Sequence, residues 1–393
     1  DAPEVWAYQS DPEVLRYIPW PERSPEEAAE HTLRRAANRV LAADGDTVFL
    51  AVVPTVGEHA GRVVGDVMLR LEHRDAARVE MGWVFAAEAQ GRGYALEACS
   101  AVRDLALDTL GAAKLVAHLD PRNTASARLC ARLGMRPEGL ARQEEADDVR
   151  GEWTDLSLWG MVAADRGLSP VALPEPAADA TLGPDPRGRP GLPADAEARL
   201  DRGSLSERLR LRPLRPADAA DLWHLQRDPE VRRFLTWPAR TEAEGAAETR
   251  RRAGLTRLRE PRDLRTFVAE LTAGPDAGRV IGQLRLQLLD PEAPSFEVGW
   301  VFSSAFRGRG YAGEAARALF RLAFEDLGAH RLVARLDTRN TASAALCARL
   351  GMRREALLRA QQWHRPTPER SEWADLAMYA ILAPEWQAGA AQR

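Results

Sequence analysis

The chain has 393 residues, of which 45% are hydrophobic and 28% are charged. This composition is typical of a globular protein, and the length predicts two domains because one hydrophobic core seldom serves so many residues. The 54 basic and 58 acidic side chains give a net charge of −4, so we expect neither nucleic acid nor an anionic membrane as a partner. Without a long apolar run, an export leader or CxxC spacing, the sequence predicts a cytoplasmic protein.

The chain contains two copies of one domain. When it is shifted by 217 positions, residues 114–135 fall on residues 331–352 with 18 identities in 22. The register then slips by three, so that Trp153 meets Trp373. We therefore predict one domain over residues 1–165 and a second over 205–386. Residues 166–204 are rich in Pro, Ala and Gly and predict a linker.

The predicted elements follow the same order in each copy. In the second copy a strand at 209–214 has no counterpart in the first, so either the given chain starts late or the first domain lacks an edge strand. Hydrophobic periodicity then predicts these elements: a helix over 218–234, further helical stretches to about 259, strands at 265–273, 279–289 and 296–302, a helix over 311–327, a strand at 331–337, a helix ending at 350, a loop, and a strand at 373–382. This order predicts a mixed α/β fold with antiparallel strands first and strand–helix–strand units after them.

A glycine-bearing turn joins a strand to a helix in both copies. It reads Gln90-Gly91-Arg92-Gly93-Tyr94-Ala95 and Arg307-Gly308-Arg309-Gly310-Tyr311-Ala312. Glycines allow the backbone N–H groups to converge, and the helix N-terminus adds unpaired donors and a partial positive charge. The turn therefore predicts a pyrophosphate site. The alternative is a tight turn that only starts a helix.

With these residues the sequence resembles the GNAT acetyltransferases, in particular the RimJ/RimL-like branch. The acetyl-CoA motif of that family (Gln or Arg, two residues, Gly, one residue, Gly or Ala) is matched once in each copy. Further along, an Asn-x-x-Ser pattern followed by Leu-Gly-Met recurs, as does a closing Trp-x-Asp strand. The resemblance covers both copies almost end to end, excluding the linker, and implies two tandem GNAT domains. Each would have a mixed, mostly antiparallel sheet, splayed at the cofactor cleft and flanked by helices.

The resemblance implies that acetyl-CoA binds in a cleft between strands 79–85 and 114–120, and again between 296–302 and 331–337. Its pantetheine arm would pair with the first strand of each cleft, and its pyrophosphate would lie on the turn. Arg92 and Arg309 would face the phosphates, unless they are merely solvated. The implied cofactor-binding residues are Trp83, Val84, Phe85, Gln90, Gly91, Arg92, Gly93, Tyr94, Ala95 and Asn123 in the first copy, and Trp300, Val301, Phe302, Arg307, Gly308, Arg309, Gly310, Tyr311, Ala312 and Asn340 in the second.

Transfer of an acetyl group to an amine requires proton movement. Glu80 and Glu297 lie on an otherwise apolar strand, where desolvation could make a carboxylate a base; the alternative is a solvated side chain. The matching serines, Ser126 and Ser343, are implied general acids, or they cap a helix. Strand N–H groups would stabilise the oxyanion. Cys130 and Cys347 stand where many GNAT enzymes have a tyrosine acid, and we expect them to be buried.

The acceptor end differs between the copies. Trp20 and Trp237 are predicted to line the acceptor groove, or else to pack in the core. Acidic residues before the last strand of the first copy, Glu144, Glu145, Asp147 and Asp148, suggest a cationic amine, whereas the second copy has Trp363, His364, Arg365 and Arg370 there. Solvated loop charge is the alternative. The seven histidines have no metal-ligand spacing, so no metal is predicted.

The leading interpretation is an acetyl-CoA-dependent N-acetyltransferase acting on a small-molecule amine or a protein N-terminus. Three alternatives remain open: one copy is only structural, another acyl donor or a specialised acceptor is used, or the chain binds CoA without chemistry. We expect the two copies to form an intramolecular pseudo-dimer.

Overall fold

A computed structural model describes residues 1–21, 23–147, 151–165, 191–237, 240–367 and 370–391. The chain divides into two compact units. One comprises Asp1–Arg187 with Ala356–Gln361, and the other comprises Gly188–Glu355 with Gln362–Arg393. Across the described ranges, no helix is both long enough and apolar enough to cross a membrane.

The first unit is a mixed sheet flanked by helices. In the order β1-β2-β3-β4-β6-β5, the pair β3 and β4 is parallel and the other neighbours are antiparallel. Its elements are α1 (Ala2–Gln9), α2 (Pro25–Ala37), β1 (Thr47–Val52), β2 (Gly65–His73), β3 (Arg78–Phe85), α3 (Tyr94–Asp104, continued by a π-helical turn at Leu105–Thr109), β4 (Lys114–Leu119), α4 (Thr124–Arg132), β5 (Arg136–Asp147) and β6 (Glu152–Val162).

The second unit repeats this sheet and extends it. Its strand order is β7-β8-β9-β10-β11-β12-β14-β13, and β11 and β12 are parallel. Its elements are α5 (Ala196–Arg202), β7 (Ser204–Leu205), β8 (Leu209–Pro213), α6 (Ala219–Arg227), α7 (Pro229–Arg232), α8 (Glu242–Ala253), β9 (Leu264–Leu271), β10 (Val280–Asp290), β11 (Ser295–Phe302), α9 (Tyr311–Arg321, continued by a π-helical turn at Leu322–Asp326), β12 (Arg331–Asp337), α10 (Thr341–Arg349), β13 (Arg353–Thr367), β14 (Arg370–Leu382) and α11 (Ala383–Ala391).

Equivalent helices begin in the same way because the sequence places the same caps. Ser24 accepts from the Glu27 N–H while the Glu27 carboxylate accepts from the Ser24 N–H, and Thr241 and Glu244 form the same capping box before α8. Such reciprocal bonds satisfy two orphan N–H groups at a helix start. The helices then pack their apolar faces on the sheet, and each unit has its own hydrophobic core.

Several predicted elements differ from those observed. The predicted linker 166–204 includes α5, whose Ala196 and Leu200 are fully buried in the core of the second unit. Residues 166–190 lie outside the described residues. The helix predicted over 218–234 is interrupted at Asp228, which caps α7 by accepting from the Glu230 N–H. The loop predicted before the last strand is strand β13, and α11 was not predicted.

Candidate functional site

In each unit two parallel strands diverge and leave a cleft between them. β3 and β4 are paired only where Arg78–Glu80 meets Lys114–Val116, and β11 and β12 only where Ser295–Glu297 meets Arg331–Val333. Beyond these residues the strands diverge. The next stretch of β3, to Phe85, is still paired with β2 on its other edge. Its cleft-facing edge has no strand partner among the described residues and can accept an extended ligand.

The glycine turn closes one end of each cleft. The backbone φ is +72° at Gly91 and +89° at Gly93, and it is +75° at Gly308 and +83° at Gly310. These left-handed conformations favour glycine. Gly93 and Gly310 are also the N-cap residues of α3 and α9 and offer no capping side chain. The first N–H groups of these helices therefore keep their donors for a ligand.

In the second unit the turn borders a cavity of about 750 Å³. Most of the residues predicted to bind the cofactor in this copy line it. They are Trp300, Val301, Phe302, Arg307, Gly308, Gly310, Tyr311, Ala312 and Asn340. The predicted catalytic Ser343 also lines it.

The two turn arginines predicted to face the phosphates are placed differently. The guanidinium of Arg309 lies 5.6 Å from the ring centre of Phe306, and Arg309 is not among the residues that line the cavity. Arg92 forms an exposed ion pair with Glu58 at 2.8 Å. Both arginines are exposed, and each of these contacts is with a side chain outside the glycine turn.

Four other arginines supply positive charge to this cavity: Arg233, Arg307, Arg317 and Arg349. The Nε of Arg317 is buried and has no hydrogen-bond partner among the described residues. A buried donor without a partner is costly, so it favours a ligand that brings acceptor atoms. Together with the open turn, this donor set fits the phosphates of coenzyme A. Sequence analysis missed Arg317 because the first copy has Ser100 at the equivalent position.

A serine and a tryptophan meet across each cleft. The Trp83 indole N–H donates to Ser126 Oγ at 3.2 Å, and the Trp300 indole N–H donates to Ser343 Oγ at 3.4 Å. The helix cap is Asn123, whose side chain accepts from the Ser126 N–H, with the same arrangement in the second unit. The serine hydroxyl is therefore not the cap. It accepts from the indole and keeps its own proton for another acceptor.

Glu80 does not sit alone in an apolar cleft. Its Oε1 lies 3.3 Å from Nδ1 of His118, and its other oxygen forms an ion pair with Arg70. Burial of Glu80 opposes its ionisation, but the hydrogen bond and charge of His118, together with Arg70, outweigh burial and hold its pKa below the ordinary value. Two cations thus oppose the effect of desolvation on Glu80, and its predicted catalytic role stays a prediction.

His118 is the titratable group of this pair and was missed from sequence. Burial acts to lower its pKa, but the hydrogen bond and negative charge of Glu80, with the charge of Glu72, raise the pKa of His118 above its ordinary value. Arg70 opposes this rise. The imidazole still reaches solvent through the cleft. The alternation of the strand could have indicated this residue. Val116 is the parallel partner of Glu80, and His118 lies two positions after Val116, so the side chains of Val116 and His118 are on the same face of the sheet.

The second unit replaces the histidine by arginine. Glu297 bonds to Arg285 and Arg335 at once, and the bond from Arg335 is 2.5 Å long. Arginine keeps its proton at any ordinary pH. The residue equivalent to Glu80 is thus clamped between two permanent cations.

Beside the clamp lies a second cavity of about 220 Å³. It shares Trp300, Asn340 and Ser343 with the cofactor cavity, so the two cavities meet at the serine. Trp237 lines it, with the guanidinium of Arg252 5.6 Å from its ring centre. In the first unit, Trp20 is half-buried and packs against a hydrophobic cluster.

The acidic segment of the first unit lies on β5. Asp147 is 1% exposed, Glu144 is half-buried and Glu145 is exposed. Although Glu145 is exposed as a residue, the protein around its carboxyl displaces part of the water, and this desolvation, with the charges of Asp147 and Glu80, raises the pKa of that carboxyl. Asp148 lies outside the described residues, as do the side chains of Trp363, His364, Arg365 and Arg370.

Two further groups bear on the predicted chemistry. All three cysteines are buried, as predicted for Cys130 and Cys347, and burial raises the pKa of Cys347 to about 12, so no thiol is poised as a nucleophile. Glu72, Glu80 and His118 bring potential metal-ligand atoms within 4.8 Å of one another. Glu72 is already paired with Arg78 at 2.6 Å. The expectation that no metal binds stays a prediction.

Comparison with known proteins decides the family. The model of the acetyltransferase (GNAT) domain matches residues 1–136 and 208–353. The chain belongs to the GNAT acetyltransferase family. The predicted tandem duplication of this domain is confirmed, as is the mixed α/β fold.

Individual relatives match single portions of the chain. It is 36% identical over 92 residues to the uncharacterized N-acetyltransferase YnaD of Bacillus subtilis, spanning 23% of this chain and about half (51%) of that relative. It is 26% identical over 191 residues to the uncharacterized N-acetyltransferase p20 of Bacillus licheniformis, covering 46% of this chain and 96% of p20. A GNAT-family acetyltransferase from Bacillus anthracis, known from its crystal structure, has 26% identity, covers 46% of this chain and 98% of its own, and superposes with a TM-score of 0.39.

Proposed function

We propose that this chain is an acetyl-CoA-dependent N-acetyltransferase that acts on a primary amine of a small molecule or of a protein N-terminus. The observation that carries the proposal is the meeting of two cavities at Trp300 and Ser343. One cavity carries the glycine turn and arginines that suit a phosphate-bearing donor, and the other is lined by polar side chains that suit an acceptor. An amine in the second cavity can reach a donor in the first.

Donor binding would use the same backbone groups in both units. The N–H groups after Gly93 and Gly310 would hold the pyrophosphate, and the open edge of Trp83–Phe85 or Trp300–Phe302 would pair with the pantetheine arm. Bound acetyl-CoA supplies the acetyl group as a thioester. The amine nitrogen bonds to the acetyl carbon, the carbon–sulfur bond breaks, and the amine gives up a proton.

In the first unit the proton of the amine would pass to His118. The neutral imidazole is a base whose raised pKa lies closer to neutral pH than that of a carboxylate, and Glu80 would stabilise the imidazolium that results. Ser126, which accepts from the Trp83 indole, would donate its own proton to the departing thiolate. Ser343 would act in the same way in the second unit.

The charge of the first cleft supports a cationic acceptor there. Glu145 lies within the electrostatic reach of Glu80 and Asp147, and this negative field would attract a polyamine or a basic N-terminus. Glu144, on the same strand, would add to it.

The absence of a histidine at Arg335 favours a second candidate, in which only the first unit is an efficient catalyst. The second unit would then bind the donor and transfer slowly, with water as the base. A chain that binds CoA but does no chemistry is the remaining alternative. The acyl chain length, the cytoplasmic location and the pseudo-dimer arrangement stay predictions.

Calorimetric titration of the chain with acetyl-CoA tests the proposal. We expect two sites per chain, and one site in each of the variants Gly93→Val and Gly310→Val, because a β-branched residue cannot easily adopt the positive φ of these positions. Thiol release with an amine panel follows. Binding without thiol release would overturn catalysis, and no binding would overturn the proposal entirely. Circular dichroism of the variants shows whether they fold.

A further inference from the structure

The acceptor sides of the two units differ in charge at equivalent positions. Four differences all make the second unit more positive. The equivalent pairs, first unit named first, are Asp66 and Gln283, Met68 and Arg285, His118 and Arg335, and Glu145 and Gln362. All four second-unit residues line the 220 Å³ cavity. Among the residues that line the cavity, the charge changes are thus all of one sign, which favours a different ligand. Behind the lining, Glu248 in place of His31 is a change of the opposite sign.

Arg252 contributes a further cation to this cavity. Its first-unit equivalent, Arg35, donates to Asp66 Oδ1 at 2.7 Å, and Asp66 also accepts from Tyr8 at 2.6 Å. Because Gln283 stands in place of Asp66, that neutralising carboxylate is missing beside Arg252.

Arg252 is held by a different bond. Its Nε donates to Glu248 at 2.6 Å, which fixes the guanidinium over Trp237. Its two terminal nitrogens have no hydrogen-bond partner within the described ranges, and the side chain is 19% exposed. A fixed, half-buried fork of two N–H-bearing nitrogens matches a carboxylate.

The carboxylates close to the cavity do not cancel these cations. Glu297 is shared by Arg285 and Arg335. Asp337, which lines the cavity, is bonded by Arg339 at 2.6 Å. Arg252, Arg285 and Arg335 are therefore opposed by two carboxylates: Glu297, which Arg285 and Arg335 share, and Glu248, which Arg252 shares with Arg251. The cavity wall still carries one more guanidinium than the carboxylates behind it. A small anionic group is the natural complement.

We infer that the second unit takes an amine acceptor that also carries a carboxylate, which Arg252 binds. This inference rests on the proposed function, because only that function makes the ligand of this cavity an acetyl acceptor. The amine would lie at the Ser343 end, where the cofactor cavity begins, and the carboxylate would lie at the Arg252 end. The first unit, with Glu145 and without the additional arginines, takes the cationic class instead.

The test measures binding separately from chemistry. The full chain is saturated with CoA, which cannot react, and titrated with γ-aminobutyrate, its neutral amide γ-aminobutyramide, and putrescine. These probes share an amine and a chain length and differ only in the far group. We expect Arg252→Gln to weaken γ-aminobutyrate binding by about tenfold or more, because the two charge-assisted hydrogen bonds of the guanidinium are lost, and to leave binding of the amide unchanged.

Two matched variants make the test specific. Arg250→Gln removes an exposed arginine from the same helix turn and should change nothing. Gln283→Asp restores the carboxylate of the first unit beside Arg252 and should weaken γ-aminobutyrate binding without removing any arginine. It serves even if Arg252→Gln proves unfolded by thermal melting.

The outcomes separate this inference from the proposed function. Equal binding of γ-aminobutyrate and its amide, or equal effects of Arg252→Gln and Arg250→Gln, would overturn the inference even if thiol is released. Selective binding of γ-aminobutyrate without thiol release from acetyl-CoA would sustain the anion site and overturn acetyl transfer.

Discussion

The two units share the same backbone arrangement around the cleft and differ in the side chains that line it. In both, the parallel strands separate after the equivalent glutamates, Glu80 and Glu297, the glycine turn starts a helix, and a tryptophan indole donates a hydrogen bond to a serine. In the first unit that glutamate meets a histidine and one arginine, His118 and Arg70, and in the second it meets two arginines. Under the proposed function, donor binding would depend on backbone geometry that both units share, whereas proton transfer and acceptor choice would depend on a few side chains that differ between them.

The largest expected effect comes from making the first cleft like the second. His118→Arg, in a Gly310→Val background that silences the second unit, should lower kcat/KM for putrescine by about a hundredfold or more, because arginine cannot accept the proton. Steady-state thiol release measures this. The reciprocal change, Arg335→His with Gly93→Val, should raise second-unit activity. If His118→Arg leaves kcat intact, the histidine is not the base.

Ser126→Ala and Ser343→Ala test the shared part of the two units. Each should lower kcat of its own unit about tenfold, by loss of the proton donor, with little change in KM for acetyl-CoA. The remaining unit should be unaffected in each case. Ser→Cys at the same positions restores a proton donor and should recover part of kcat. If KM for acetyl-CoA rises while kcat is unchanged, the serine has a role in binding rather than in proton transfer.

Glu80→Gln tests how strongly Glu80 affects the titration of His118. Since Glu80 raises the pKa of His118, its removal should shift the rising limb of the pH–rate profile toward lower pH. The stabilising contribution of the pair is present below the unfolded-state pKa of histidine and is lost as pH rises through the raised pKa, so the variant should lose more stability at pH 6 than at pH 9. An unshifted profile would argue that His118 titrates independently of Glu80.

The smallest expected effect concerns acceptor charge. Glu145→Gln copies Gln362 and should reduce the preference of the first unit for putrescine over a monoamine about threefold, because one partly solvated carboxylate contributes less than a paired one. The exposed Asp75→Asn serves as the control. Raising the salt concentration should shrink the preference in the unaltered chain. A preference that does not respond to salt would exclude the electrostatic explanation.

Much of the backbone arrangement around the clefts was predictable because it is specified by motifs that are contiguous in the sequence. The glycine turn, the apolar strands on either side and the Asn-x-x-Ser helix start are contiguous motifs, and each appears twice. Local signals failed where tertiary packing decided the outcome. Helix α5 lies in a segment whose Pro and Gly content predicts a linker, yet Ala196 and Leu200 find the core of the second unit.

Sequence alone determined the family, the duplication and the location of the two clefts, because a strand–turn–helix with glycines at fixed spacing leaves the backbone few conformations. Only the tertiary structure decided what Glu80 and Glu297 touch. His118 and Arg335 come from the neighbouring parallel strand, whereas Arg70 and Arg285 come from the antiparallel strand on the other side. A contact between parallel strands joined by a long crossover leaves no periodic trace in the chain. The direction of the pKa shifts of Glu80 and His118 follows from their mutual contact, which packing rather than a sequence pattern brings about.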